Sequence, residues 1–147
     1  MYIGIDLGGT NIAIGIVSED GKILLKDSTP TLLPRDYTEI VFDMQKLIKR
    51  LLEKSGYDIS EIKGIGIGCP GSVDAKNGVV SYSNNLKMHH TPLVSEIKKY
   101  FDLPVSILND ADAAAFGEYM INGNGVDSYY LPNRTTKNKL TTDLKGV

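Results

Sequence analysis

Residues 2–17, YIGIDLGGTNIAIGIV, decide the fold. Ile3, Ile5 and Leu7 alternate with Tyr2, Gly4 and Asp6, the period of two that marks a strand with one buried face. The run breaks at Gly8-Gly9-Thr10-Asn11, and the alternation resumes over IAIGIVS. After a turn at Asp20-Gly21, GKILLKDS reads as a third strand. The chain therefore opens as an antiparallel meander of three strands.

The period then changes. Tyr37, Ile40, Val41, Met44, Leu47, Ile48, Leu51 and Leu52 recur every three or four residues, which puts them on one stripe of a helix. Asp36 and Glu39 have the spacing of a capping box, and Gly56 stands just past the last apolar position. Glu39 and Asp43 near the start, with Lys46, Lys49, Arg50 and Lys54 towards the end, suit the helix dipole. KGIGIGCPGSVD (63–74) predicts a strand ending in a Pro70-Gly71 turn. Its Gly64, Gly66 and Gly68 share one face, open to close approach of another backbone. NGVVSYSNN (77–85) suggests a short strand, and a helix begins at Thr91-Pro92 with Leu93, Ile97 and Phe101 as its buried stripe. LPVSIL (103–108) is a further strand, feeding an alanine-rich helix from Asp110 onward. The order β-β-β-α-β-α-β-α predicts an α/β fold, a mixed sheet flanked by helices.

Bulk properties narrow the classes of function. The chain has 147 residues, 41% apolar and 23% charged, the make-up of an ordinary globular domain. A net charge of −2 gives no electrostatic reason for nucleic-acid or membrane-surface binding. No apolar run reaches the ~18 residues of a membrane span, and the start lacks a signal peptide's basic flank. Cys69 is the one cysteine, so neither an internal disulfide nor a cysteine zinc site is available, and the cytoplasm is the default location. The stretch YYLPNRTTKNKLTTDLKGV (129–147) has no sustained period, is rich in Thr, Lys and Asn, and reads as loop or disorder.

Three loops carry polar chemistry. Asp6 with Gly8, Gly9 and Thr10 offers backbone N–H groups, a hydroxyl and a carboxylate, suited to phosphate and hydrated metal; an ordinary tight hairpin accounts for the same residues. It is neither a Walker A motif nor a dinucleotide fingerprint, because a strand follows it rather than a helix. CPGSVD and YSNNLKMHHTPL read as loops, and the adjacent His89 and His90 lack a partner cluster for metal. Asp110 stands where a helix N-cap would; at the carboxyl end of a strand it would equally face a ligand cleft.

Taken in order, IGIDLGGTNIAIGIV, GIGIGCPGSVD, SNNLKMHHTPL and LNDADAAAFGEY resemble the N-terminal domain of the ROK family, bacterial sugar kinases and sugar-responsive repressors. The resemblance implies an actin-like, hexokinase-type ATPase domain with a ribonuclease H-like core over residues 1–123, followed by an irregular segment at 124–147. It implies that Asp6, Gly8, Gly9 and Thr10 form the first phosphate loop, holding ATP with Mg2+. It implies Pro70, Gly71 and Asn85 at the sugar, Asn109 on sugar hydroxyls and Asp110 as general base. The implied substrate is a hexose or N-acylhexosamine.

The chain also departs from the family pattern. Asp112 replaces a usual asparagine, adding a charge that would raise the pKa of a nearby carboxylate. Met88 stands where tryptophan is common, altering the wall of the sugar loop. After FGEYMINGNG the family's second phosphate loop and zinc cluster do not follow, which suggests a frameshift or early stop. The expectation is a kinase lobe with little or no activity alone. A non-enzymatic sugar-binding module, or a half-enzyme that self-associates or pairs with a separate C-terminal lobe, is the alternative. The repressor branch is disfavoured, since its DNA-binding segment would precede the first strand.

Overall fold

The computed structural model describes residues 1–110. The alanine-rich helix, Asp112, the boundary at 123 and the segment 124–147 lie outside the described residues.

The meander forms as expected. β1 (Tyr2–Leu7) pairs antiparallel with β2 (Asn11–Val17), and β2 with β3 (Ile23–Pro30). β4 (Ile65–Cys69) lies parallel to β1, and β8 (Val105–Asn109) parallel to β4. The five-stranded sheet has the order β3-β2-β1-β4-β8. Its parallel half places the carboxyl ends of β1, β4 and β8 along one edge, where open α/β sheets bind ligands.

Helix α1 (Tyr37–Ser55) buries the predicted stripe: Ile40, Val41, Met44, Leu47, Ile48 and Leu51 are all buried. They join Ile3, Ile5, Leu7, Ile12, Ile14 and Ile16 in one core. Each such side chain contributes about 1.5–3 kcal/mol on full burial. Asp36 caps the start by accepting the Thr38 N–H at 3.1 Å, and Gly56 closes the end in the left-handed conformation, φ 78°. The reciprocal capping box expected of Asp36 and Glu39 is formed instead by Asp58 and Glu61, around a 3-10 turn at Ile59–Glu61. Asp27 on β3 ties the sheet to α1 through Arg50 at 2.8 Å and Lys54 at 3.1 Å.

The element order departs from expectation between β4 and β8. A second, three-stranded antiparallel sheet occupies this interval: β5 (Ser72–Asp74), β6 (Val79–Ser83) and β7 (Met88–Thr91). β6 matches the short strand suggested by NGVVSYSNN; β5 and β7 lack a readable period. Along β7 the burial runs in, out, out, in, and His90 takes φ 48°, so alternation fails locally. Met88 is a core residue, 3% exposed, rather than part of a loop wall. Thr91 ends β7, and α2 (Leu93–Lys98) starts after Pro92, burying Leu93 and Ile97 as expected with Phe101 beyond. Gly64, just before β4, supports close approach, its hypothetical Cβ lying 3.3 Å from the Pro104 carbonyl; at Gly66 within the strand the nearest atom, Ser106 Oγ, is 3.9 Å away.

Candidate active site

Strand register brings the sequence candidates to one edge. Asp6 stands level with Gly68, and Gly68 with Leu108; one step on, Cys69 stands level with Asn109. Asp110 follows directly. The Cys69 thiol, fully buried, is pushed up to about 12 by burial first and then by the charges of Asp110 and Asp6. Both carboxylates thus lie within electrostatic reach of one sulfur. Asp6 is itself 6% exposed, so its charge acts in a poorly solvated setting.

The loop after β1 closes tightly. The Gly8 N–H donates to the Asn11 carbonyl at 3.0 Å, and a Cβ on Gly8 would lie 2.9 Å from that same oxygen. A Cβ on Gly9 would come within 3.1 Å of the Asn85 carbonyl. This turn therefore packs directly on the Asn84–Lys87 turn that joins β6 to β7. Ser83, buried, shapes that second turn by accepting the Leu86 N–H on its hydroxyl at 3.2 Å, and Leu86 plugs the core. Asn85 is left exposed beside Gly9.

The bend after β4 completes the group. Gly71 takes φ 105°, and a Cβ there would meet the Tyr82 carbonyl at 2.3 Å, so the bend lies flat against β6. The Asn109 side-chain amide donates to the Gly71 carbonyl at 3.1 Å. Asp6, Gly8, Gly9, Pro70, Gly71, Asn85, Asn109 and Asp110 accordingly fall in one neighbourhood, built by three strand ends and two turns. Thr10 is exposed at its rim. His89 and His90 form a separate exposed pair on β7, their rings 4.1 Å apart, with Tyr82 edge-on to His89. Among the described residues no group of three or more His, Cys, Asp or Glu is placed to hold a metal.

One contributor escaped sequence reasoning. Thr31, fully buried after β3, donates its hydroxyl to the Gly8 carbonyl at 2.6 Å and its N–H to the Thr10 carbonyl at 2.8 Å. The Thr31 carbonyl in turn accepts from Arg35 Nε at 2.9 Å, and Arg35 pairs with Asp43 on α1 at 2.6 Å. Arg35 and Asp43 also line a cleft of about 330 Å³ with Thr38, Glu39, Phe42 and Tyr100. The only sequence signal was a threonine in a Pro-flanked loop, which by composition is an ordinary turn residue.

Comparison with known proteins places this edge in context. Residues 2–130 match the model of the ROK family. The chain is 41% identical over 117 residues to a glucokinase of Thermotoga maritima, spanning 79% of this chain and 35% of the relative. It is 34% identical over 116 residues to a xylose repressor of Caldicellulosiruptor bescii, spanning 79% of this chain and 29% of the relative. In structure it is similar to a ROK family glucokinase of Streptomyces griseus in complex with glucose and AMPPNP. There the TM-score is 0.70 at 38% identity, covering 84% of this chain and 38% of the other. The chain thus spans about a third of the length of the curated relatives it matches. Among the described residues, no helix is long and apolar enough to cross a membrane.

Proposed function

The chain belongs to the ROK family, and on that premise we propose that it supplies the sugar-binding and base-bearing lobe of an ATP-dependent kinase for a hexose or N-acylhexosamine. The observation that carries the proposal is the convergence of Asp6, Asn109 and Asp110 at the carboxyl edge of β1, β4 and β8, beside the Gly8–Thr10 turn.

The donor set suits a magnesium triphosphate. The Gly8–Gly9 turn has no side chain to obstruct its N–H groups, and Asp6 is a carboxylate at its base. Gly9 and Thr10 would hold that group by their N–H groups and Asp6 through metal-bound water, as Mg2+ prefers, while Gly8, whose own N–H goes to the Asn11 carbonyl, keeps the turn clear of a side chain. When bound, Mg2+ neutralises charge on the transferring phosphoryl group. Asn109 presents a side-chain amide anchored to the Gly71 carbonyl, so it would orient a sugar hydroxyl rather than swing free. Asp110, next in the chain, accepts the proton of that hydroxyl as the new O–P bond forms; such a base contributes about 10²–10⁴-fold. Pro70, Gly71 and Asn85 bound the sugar.

Positioning by two closing lobes supplies most of the acceleration in this chemistry, so one lobe alone should transfer phosphoryl groups poorly. The test joins residues 1–123 to the C-terminal part of the Thermotoga maritima glucokinase. The proposal expects glucose-dependent ADP formation that falls at least ~10²-fold in Asp110→Asn. A folded chimera with no sugar-dependent ADP formation, or with full activity in Asp110→Asn, would overturn it.

A sugar-binding role without catalysis is the second reading, favoured by the 34% identity to a xylose repressor. Under it, Asn85, Asn109 and Asp110 bind the sugar saturably, and no sugar-dependent ADP formation accompanies that binding.

A further inference from the structure

Each carbonyl of a phosphate-binding turn that points at the ligand repels it, so a working cradle needs its carbonyls tied elsewhere and its N–H groups left over. In the Gly8–Thr10 turn a single residue, Thr31, ties two of them. Its hydroxyl holds the Gly8 carbonyl at 2.6 Å and its N–H the Thr10 carbonyl at 2.8 Å, while the Gly8 N–H is used by Asn11. Among the described residues the Gly9 and Thr10 amides take part in no hydrogen bond. Thr31 is fully buried and is itself braced by Arg35, which the ion pair with Asp43 fixes to α1.

We infer that Thr31 is the positioning residue of the phosphate cradle, clamping both of its flanking carbonyls to the β3–α1 loop so that the Gly9 and Thr10 amides are the donors offered to phosphate. The assignment rests on the reading of this turn as a phosphate site. Thr31 touches no substrate; it acts through the turn. A purely structural threonine would affect global stability, whereas a clamp affects the turn it holds.

The test uses the 147-residue chain, ¹⁵N-labelled, with Thr31→Val and Thr31→Ser. Valine keeps the shape and the backbone N–H but removes the hydroxyl donor; serine restores it. Two readouts are taken: hydrogen exchange without ligand at the Gly8 amide, which donates to the Asn11 carbonyl within the clamped turn, and shifts of the Gly9 and Thr10 amides on titration with magnesium tripolyphosphate. Loss of one hydrogen bond of ordinary strength predicts about tenfold faster exchange and about tenfold weaker tripolyphosphate binding in Thr31→Val. Exchange in β1 should stay unchanged, and Thr31→Ser should return to wild-type behaviour. If Thr31→Val does not fold, Arg35→Met, which removes the brace on the Thr31 carbonyl, replaces it with the same direction of effect. Wild-type binding with unchanged exchange and affinity in the variant overturns the clamp alone, as does failure of serine to restore it. Absence of any saturable shift in the wild-type chain overturns the phosphate reading and the clamp together.

Discussion

The side-chain amide of Asn109 donates to the carbonyl of Gly71 at 3.1 Å, tying the last residue of β8 to the bend that follows β4. Two loops far apart in sequence therefore share one hydrogen bond at the edge where the carboxylates gather. Replacing the amide by a carboxylate sets two acceptors against each other. Asn109→Asp should release the bend and, if the proposed sugar site is right, lower the affinity for glucose at least about tenfold, by the loss of roughly 1–2 kcal/mol. Isothermal titration of the chain with glucose measures this; an unchanged affinity would remove the bond from the sugar site.

The glycines of the site are predicted to differ sharply. Gly71→Ala forces a left-handed φ of 105° on alanine and pushes its Cβ to 2.3 Å from the Tyr82 carbonyl, so backbone must move. A cost of about 2–4 kcal/mol follows from strain and overlap together. Gly56→Ala pays only the conformational term, since nothing lies within 4 Å of the added Cβ, and should cost about 1 kcal/mol. Urea unfolding of the two variants gives the comparison, and equal costs would contradict the packing of the bend on β6.

How much of this was legible beforehand follows the strength of local signals. The β1–β3 meander, α1 and the parallel strands β4 and β8 announce themselves because each runs for five or more residues and carries a readable apolar pattern in its sequence. β5 and β7 escape because they are three and four residues long and His90 breaks the pleat. The candidates Asp6, Asn109 and Asp110 were placed by the order of four motifs, and their common edge follows from parallel pairing of β1, β4 and β8. Thr31 carried no pattern at all. Its role exists only once β3 has returned beside β2, and contacts of that kind are set by tertiary packing rather than by local propensity.

Asp27 gives the fold a pH dependence of known sign. Burial works to raise its pKa, but hydrogen bonds from Arg50 and Lys54 outweigh it and lower the group to about 2 from the usual 3.8. A depressed folded-state pKa stabilises the protein above the unfolded value, and that stability disappears as pH falls from about 4 towards 2. Both cations are about half exposed, at 49% and 54%, so solvent screening reduces the contribution to about 1 kcal/mol. Asp27→Asn should be less stable than wild type by that amount at pH 7, and the difference should vanish near pH 2. Parallel urea titrations at the two values decide it; a gap that persists in acid would assign the effect to packing instead.

The convergence of Asp6 and Asp110 can be read through the sulfur beside them. Burial and the two carboxylate charges push the Cys69 thiol up to about 12, so at pH 9 thiolate is scarce and alkylation should run roughly a thousandfold slower than for a free cysteine. Asp110→Asn and Asp6→Asn each remove one unfavourable charge and should speed iodoacetamide labelling of the folded chain several-fold, Asp110 having the larger effect because its charge contributes more. Asp102→Asn, at an exposed position, is the control and should change nothing. Urea unfolding of the three variants reads loosening separately, so faster labelling at unchanged stability, in the order Asp110, Asp6, Asp102, is assigned to charge. If neither candidate carboxylate alters the thiol, the two do not share the neighbourhood on which the proposed base depends.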